Sequence, residues 1–122
     1  MRRLFAGAAF LLPLACADAR AADSVDCKHA VVQADMNVCA DRDYQQADAL
    51  LNATFKDATK DADARTLDLL RKAQRAWIAF RDAECAYQTA GDEGGSIQPM
   101  DYSLCLTRLT KLRTQQLKEG GN

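Results

Sequence analysis

The sequence predicts an all-α fold, a small antiparallel three-helix bundle stapled by disulfides. Three observations predict it. Apolar residues recur at helical spacing in three separate stretches, and no stretch shows the sustained alternation of a strand. Four cysteines, Cys27, Cys39, Cys85 and Cys105, follow a leader-like start, an even number suited to two cross-links in an oxidising compartment. Ala73 to Cys85 reads AQRAWIAFRDAEC, which sets Gln74 and Arg81 inside an otherwise apolar helical stripe with Leu67, Leu70, Trp77, Ile78 and Cys85. A buried amide or guanidinium without partners costs roughly 1 to 3 kcal/mol or more, so other helices must supply those partners.

Residues 1–21 read as a secretory signal peptide. Arg2 and Arg3 give a basic start, Leu4 to Ala15 an apolar core, and Ala17-Asp18-Ala19 and Ala19-Arg20-Ala21 offer small residues at cleavage-like spacing. The apolar run, broken by Gly7 and Pro13, is too short to span a bilayer, and no later segment approaches that length. Cys16 stands where a bacterial lipoprotein carries its lipid, but Pro13 occupies the position three before it that normally holds an aliphatic residue. Ordinary cleavage is therefore the favoured reading over a lipid anchor. Residues 22–122 form one domain in the periplasm or outside the cell, with a core small enough to profit from covalent staples.

The first helix is expected from about Gln33 to Thr59, with Met36, Ala40, Ala47, Leu50, Leu51 and Thr54 on one face. Asp61 and Asp63 are candidate N-caps for a second helix, about Ala64 to Thr89. Ala90 to Pro99, AGDEGGSIQP, should be an irregular loop. Pro99 suits the first turn of a third helix reaching about Lys118, with Tyr102, Cys105, Leu106, Leu109, Leu112 and Gln116 on one side and Gly120 and Gly121 ending it.

Hairpin arithmetic places the polar residues. With helices one and two antiparallel about a turn near residue 62, Asp43 comes level with Arg81, which makes Asp43 the expected charge partner and Asp48 the alternative. Around the glycine loop Cys85 comes level with Cys105, leaving Cys27 to bond Cys39. The rival pairing, Cys39 with Cys85 and Cys27 with Cys105, stays open.

Cleavage after Ala21 removes Arg2, Arg3, Arg20 and Asp18 from the chain's 16 basic and 17 acidic residues, leaving a net charge of −3. That balance argues against nucleic acid as a partner. Ala22 to Ala64 carries a net −5 and Arg65 to Asn122 a net +2. Either an acidic first helix packs beside a more basic second one, or an acidic face is offered to a cationic protein. Catalysis lacks its parts. His29 is the only histidine and lies near the amino end, the cysteines are expected to be oxidised, and no phosphate-cradling glycine motif follows a strand. No close cysteine pair suggests zinc, and no cofactor or metal is expected. Asn52-Ala53-Thr54 matches a glycosylation sequon, but inside a helix Asn52 reads as a packing or capping amide.

Gln33, Met36-Asn37, Cys39-Ala40, Tyr44, Asp48, Leu51-Asn52, the AQRAWIAFRDAEC run, Gly95-Ser96, Cys105, Thr110, Arg113 and Leu117 together resemble the N-terminal domain of the LprI-type lysozyme inhibitors, small secreted or lipid-anchored helical proteins of bacteria. The resemblance covers nearly the whole segment after the leader. It departs at Val32, where the family often has a threonine before the glutamine, which takes away a side-chain N-cap. It implies a protein partner, a cationic muramidase, and inhibition of it. By the same resemblance Thr110 and Arg113 are expected to tie helix three to helix two.

Two surfaces suit such a partner. The loop residues Asp92, Glu93 and Ser96 are polar and flanked by glycines that let the backbone approach closely. Asp35, Asp41, Asp48 and Asp57 on helix one would instead steer a basic protein electrostatically. The competing function is a non-catalytic structural or accessory protein of the cell envelope that binds no lysozyme.

Overall fold

A computed structural model describes residues 24–120. The leader, its cleavage sites and Cys16 lie outside the described residues. Three helices follow one another: α1 over Gln33–Thr59, α2 over Ala64–Gln88 and α3 over Gln98–Glu119, with a single 3-10 turn at Ala90–Asp92. No strand occurs among the described residues, so the fold is all-α.

Each helix begins for a different local reason. The α2 start is fixed by Asp63, whose carboxylate accepts the Thr66 backbone N–H at 2.9 Å and the Thr66 hydroxyl at 2.9 Å. Asp61 remains exposed in the turn. Pro99 lies in the first turn of α3, where its missing N–H costs nothing. Val32 gives α1 no side-chain cap. Instead the Gln33 amide donates to Asn37 Oδ1 at 2.8 Å and lies 3.7 Å from Met100 Sδ, so the α1 start is held against α3.

That contact also fixes direction. Asn37 Nδ2 donates to the Ser96 carbonyl at 3.0 Å, which brings the starts of α1 and α3 to the same end of the bundle. The two helices run parallel, and α2 returns antiparallel to both. α1 and α3 make the closest helix pair, and α3 also packs on α2.

Small side chains explain that closeness. Ala40, Ala47 and Thr54 of α1 are buried with Leu51, and Ser103, Thr107, Thr110 and Thr114 of α3 are buried with Leu106 and Leu117. A threonine interior would be costly with free hydroxyls, but Thr107 donates to the Ser103 carbonyl at 2.8 Å and Thr114 to that of Thr110 at 2.9 Å. Among the described residues no buried side-chain nitrogen or oxygen lacks a partner.

The packed faces differ in detail from the apolar periodicity. Leu50, Ile78, Leu112 and Gln116, expected inside, are exposed. On α3 the inner face is rotated toward the threonines because helices in near contact admit hydroxyls and methyls more readily than leucines. Between α1 and α2 the backbones stand further apart, and Arg81 of α2 reaches across to Tyr44 and Asp48 of α1.

Two disulfides staple this frame. Cys27 bonds Cys39, fastening the chain before α1 to the helix, and Cys85 bonds Cys105 across α2 and α3. Cys85, Cys105 and Leu106 form a small core against which Tyr44, Tyr102 and Leu109 pack. The glycine segment is more ordered than an irregular loop. Asp92, Glu93, Gly95 and Gln98 each donate a backbone N–H to the residue three before, making a run of turns, and Gly94 supplies the one positive φ, 78°. Among the described residues no helix is long and apolar enough to cross a membrane.

Candidate functional site

Arg81 stands where all three helices meet. Its side chain is 7% exposed, and its N–H groups reach all three helices. Nη1 donates to Asp48 Oδ1 of α1 at 3.3 Å and to the Thr110 hydroxyl of α3 at 3.5 Å, while Nε donates to Asp82 Oδ1 of its own helix at 2.8 Å. The guanidinium carbon lies 5.3 Å from the ring centre of Tyr44 and 5.2 Å from that of Trp77, so the cation is held between two aromatic faces.

The electrostatics follow from this cage. Burial opposes the charge of Arg81, but the hydrogen bond to Asp82 and the negative charges of Asp82 and Asp48, joined by Tyr44 when its phenol ionises, outweigh it and hold its proton more firmly than usual. Burial likewise pushes the Tyr44 phenol up, against the pull of the Arg81 charge.

Asp48, and not Asp43, is the α1 partner. Asp43 is exposed and takes no part in the cluster. Tyr44, next to the expected level position, does meet Arg81, but a helical side chain leans toward its own N-terminus, which for α2 is the turn. Five residues at about 1.5 Å each, the step from Asp43 to Asp48 along α1, match the reach of an arginine side chain in that direction.

A second polar tie lies further along the same interface. Gln74 is buried, and its Oε1 accepts from Arg113 Nε of α3 at 3.0 Å, while Arg113 Nη1 reaches Gln116 Oε1 at 3.4 Å. Burial lowers the pKa of Arg113. Thr110 is fully buried. Gln74, Arg81, Thr110 and Arg113 thus join α2 to α3, with Asp48 bringing in α1.

The cluster is not sealed. The side chains of Asp48 and Asp82 are 38% and 49% exposed, and together they outweigh the single guanidinium behind them. Asn52 Nδ2 steadies the outer oxygen of Asp48 at 3.1 Å. Asp41, seven residues earlier and so on the same side of α1, is exposed and held by Gln45 Nε2 at 2.7 Å. Asp41, Asp48 and Asp82 form an acidic edge of fixed geometry along the side where α1 and α2 meet.

The four aspartates expected on one acidic face are not together. Asp35, half-buried, and Asp57, exposed, point roughly 120° or more away from Asp41 and Asp48 around α1. Of the loop residues, Glu93 and Ser96 are exposed and Asp92 is half-buried. The loop is anchored to α1 through the Ser96 carbonyl. His29 pairs with Asp26 at 2.7 Å on the exposed chain before α1, away from the other polar clusters. That hydrogen bond, with one from the Lys28 N–H, draws the Asp26 carboxyl below its usual range. Arg42 holds the same chain by donating to the Val25 carbonyl at 3.3 Å.

Sequence reasoning missed Asp82. Adjacent helical residues do not normally face each other, so nothing in the spacing pairs Asp82 with Arg81. Tyr44 gave a fainter signal. It shares an α1 face with Asp48, four residues on, and an aromatic on that face is a natural wall for a buried cation.

The fold and the cluster define a class: a small, disulfide-stapled, three-helix protein with a cation caged at its centre and carboxylates at its edge. The chain belongs to the family described as Lysozyme inhibitor LprI, whose model matches residues 26–117 and so takes in all four bridging cysteines and the whole polar cluster. It is similar to the uncharacterized protein R02472 of Rhizobium meliloti (strain 1021), 47% identical over 107 residues, with 77% of each chain covered. It is also similar to the uncharacterized protein YecT of Escherichia coli (strain K12), 31% identical over 102 residues, with 69% of this chain and 63% of that protein covered. No solved structure matches the chain.

Proposed function

We propose that the protein is an exported, non-catalytic inhibitor that binds a cationic muramidase and blocks it. The observation that carries this reading is the family match across residues 26–117, which spans the three helices and both bridges. The acidic edge of Asp41, Asp48 and Asp82 supplies a surface of the right charge. These carboxylates are held in place before any partner arrives, Asp48 and Asp82 by Arg81 and Asp41 by Gln45, so binding would freeze few rotors. Excess negative charge there steers a basic protein inward and makes association sensitive to salt. The loop at Asp92, Glu93 and Ser96 is the second surface, and Asp35 and Asp57 add to the general field of α1.

A lytic assay tests the function. The purified protein should slow a strongly cationic lysozyme as it approaches molar equivalence. Undiminished lysis at a hundredfold excess would falsify inhibition and favour an accessory protein of the envelope. If lysis slows, Asp41→Asn with Asp82→Asn should weaken inhibition by at least about tenfold. Loss instead on changing Asp92, Glu93 and Ser96 to alanine would move the site to the loop. Asp48 is left intact so that Arg81 keeps one carboxylate, and asparagine at 82 retains an oxygen that can accept from the Arg81 Nε.

A further inference from the structure

The outward face of α2 carries a second pattern, distinct from the polar cluster. Leu69, Ala73, Ala76, Phe80, Ala83 and Tyr87 follow one another at alternating intervals of four and three residues, the spacing of a coiled-coil seam. All six are exposed, with Leu69 at 55%, Phe80 at 55% and Tyr87 at 78%. They lie roughly 130° around the helix from Gln74, Arg81 and Cys85, which face the bundle. A helix needs one apolar stripe to join its own fold, and α2 has two.

We infer that this stripe is a self-association surface, on which α2 of a second copy of the chain docks antiparallel. Size complementarity favours that occupant. Antiparallel pairing about residue 78 sets Phe80 level with Ala76 of the second copy, so that ring meets a methyl, and sets Ala73 level with Ala83 and Leu69 level with Tyr87. Charge favours it as well. Beside the stripe the first half of α2 presents Arg65 and Lys72 against one acid, Asp68. The second half and the turn beyond it present Glu84, Asp92 and Glu93, while Arg81 and Asp82 neutralise each other in the polar cluster. Antiparallel docking lays the basic half of one copy on the acidic half of the other, whereas parallel docking stacks like on like. The stripe would bury about 1,000 Å² over the two copies, the lower end of a specific interface, so a dimer with a dissociation constant in the micromolar range is expected.

Sedimentation equilibrium of the purified chain between about 1 and 500 µM tests the inference. A concentration-dependent rise to twice the monomer mass is expected, weakening as salt increases. Phe80→Glu should raise the dissociation constant at least about thirtyfold while leaving the helical signal and melting temperature intact, since Phe80 does not face the core. Should that variant fail to fold, Tyr87→Ser provides the same test at a still more exposed position. A nitroxide placed at Arg65→Cys reads direction. The antiparallel dimer puts the two labels about 39 Å apart along the axis, and a parallel one leaves them within about 15 Å. A monomer at every concentration, a dimer indifferent to both substitutions, or the short label distance would each overturn the inference. The first result would leave the stripe to some other helix.

Discussion

Replacing Arg81 by alanine removes a side chain that touches all three helices, and its cost can be worked from its contacts. The change gives up two ring contacts, each worth about 0.5 to 2 kcal/mol. It leaves the fully buried Thr110 hydroxyl without its donor, a loss of about 1 kcal/mol. Breaking a sealed ion pair costs roughly 3 to 5 kcal/mol, but Asp48 and Asp82 are more than a third exposed, and water would solvate them once they are released. That part should count for about 1 kcal/mol. With overlap between these contributions, Arg81→Ala should destabilise the fold by about 3 kcal/mol, which for a domain of this size lowers the melting temperature by about 12 to 20 °C. Arg81→Lys keeps the charge but cannot present a planar fork to Asp48, Asp82 and Thr110 together, so about half of that loss should remain. Urea and thermal unfolding followed by far-ultraviolet circular dichroism measure both. A loss below about 0.5 kcal/mol for the alanine variant, or a lysine variant equal to the parent, would refute the view that the guanidinium locks the bundle.

Other perturbations separate the remaining contributions. Replacing Cys85 and Cys105 together by serine opens the bridge between α2 and α3 and should cost about 3 kcal/mol, read as a lower urea midpoint. Ala47→Leu forces a larger side chain into the close α1–α3 contact and should cost about 1 to 3 kcal/mol, with an unchanged helical signal at low temperature. The Asp63 carboxyl is drawn below its usual range by the Thr66 backbone N–H and then by its hydroxyl. Its contribution is therefore complete above about pH 4 and fades as pH falls through the folded value, so Asp63→Ala should flatten the acid limb of a stability-against-pH curve. Tyr44 has the opposite sign. Its raised phenol pKa means that stability held below about pH 10 is lost as pH climbs, and Tyr44→Phe should remove that alkaline loss.

Much of the frame was legible in the residues. The bounds of α1, the Asp63 cap, the break in helix at the glycines and the level positions of Cys85 and Cys105 all follow from spacing and local chemistry. Two kinds of information did not show. The inner face of α3 is built from Ser103, Thr107, Thr110 and Thr114, and hydropathy assigns such residues to solvent. The close approach of α1, permitted by Ala40 and Ala47, turns them inward, and the Thr107 and Thr114 hydroxyls are satisfied by carbonyls one turn back. The partner of Arg81 was displaced by five residues because level-matching locates backbones, while the direction of a long side chain decides which carboxylate it meets. The same limit applies to the acidic face. Counting put Asp35, Asp41, Asp48 and Asp57 on one helix, but rotation around it keeps only Asp41 and Asp48 together, and Asp82 joins them from α2.

Direct binding measured against ionic strength bears most closely on the central claim, that an acidic edge held in register by Arg81 captures a cationic muramidase. Titrating the protein into a cationic lysozyme in a calorimeter at about 20 mM and about 200 mM salt should give one-to-one binding that weakens at least about tenfold at the higher salt. Absence of heat at both concentrations, or an affinity that salt leaves untouched, would contradict it.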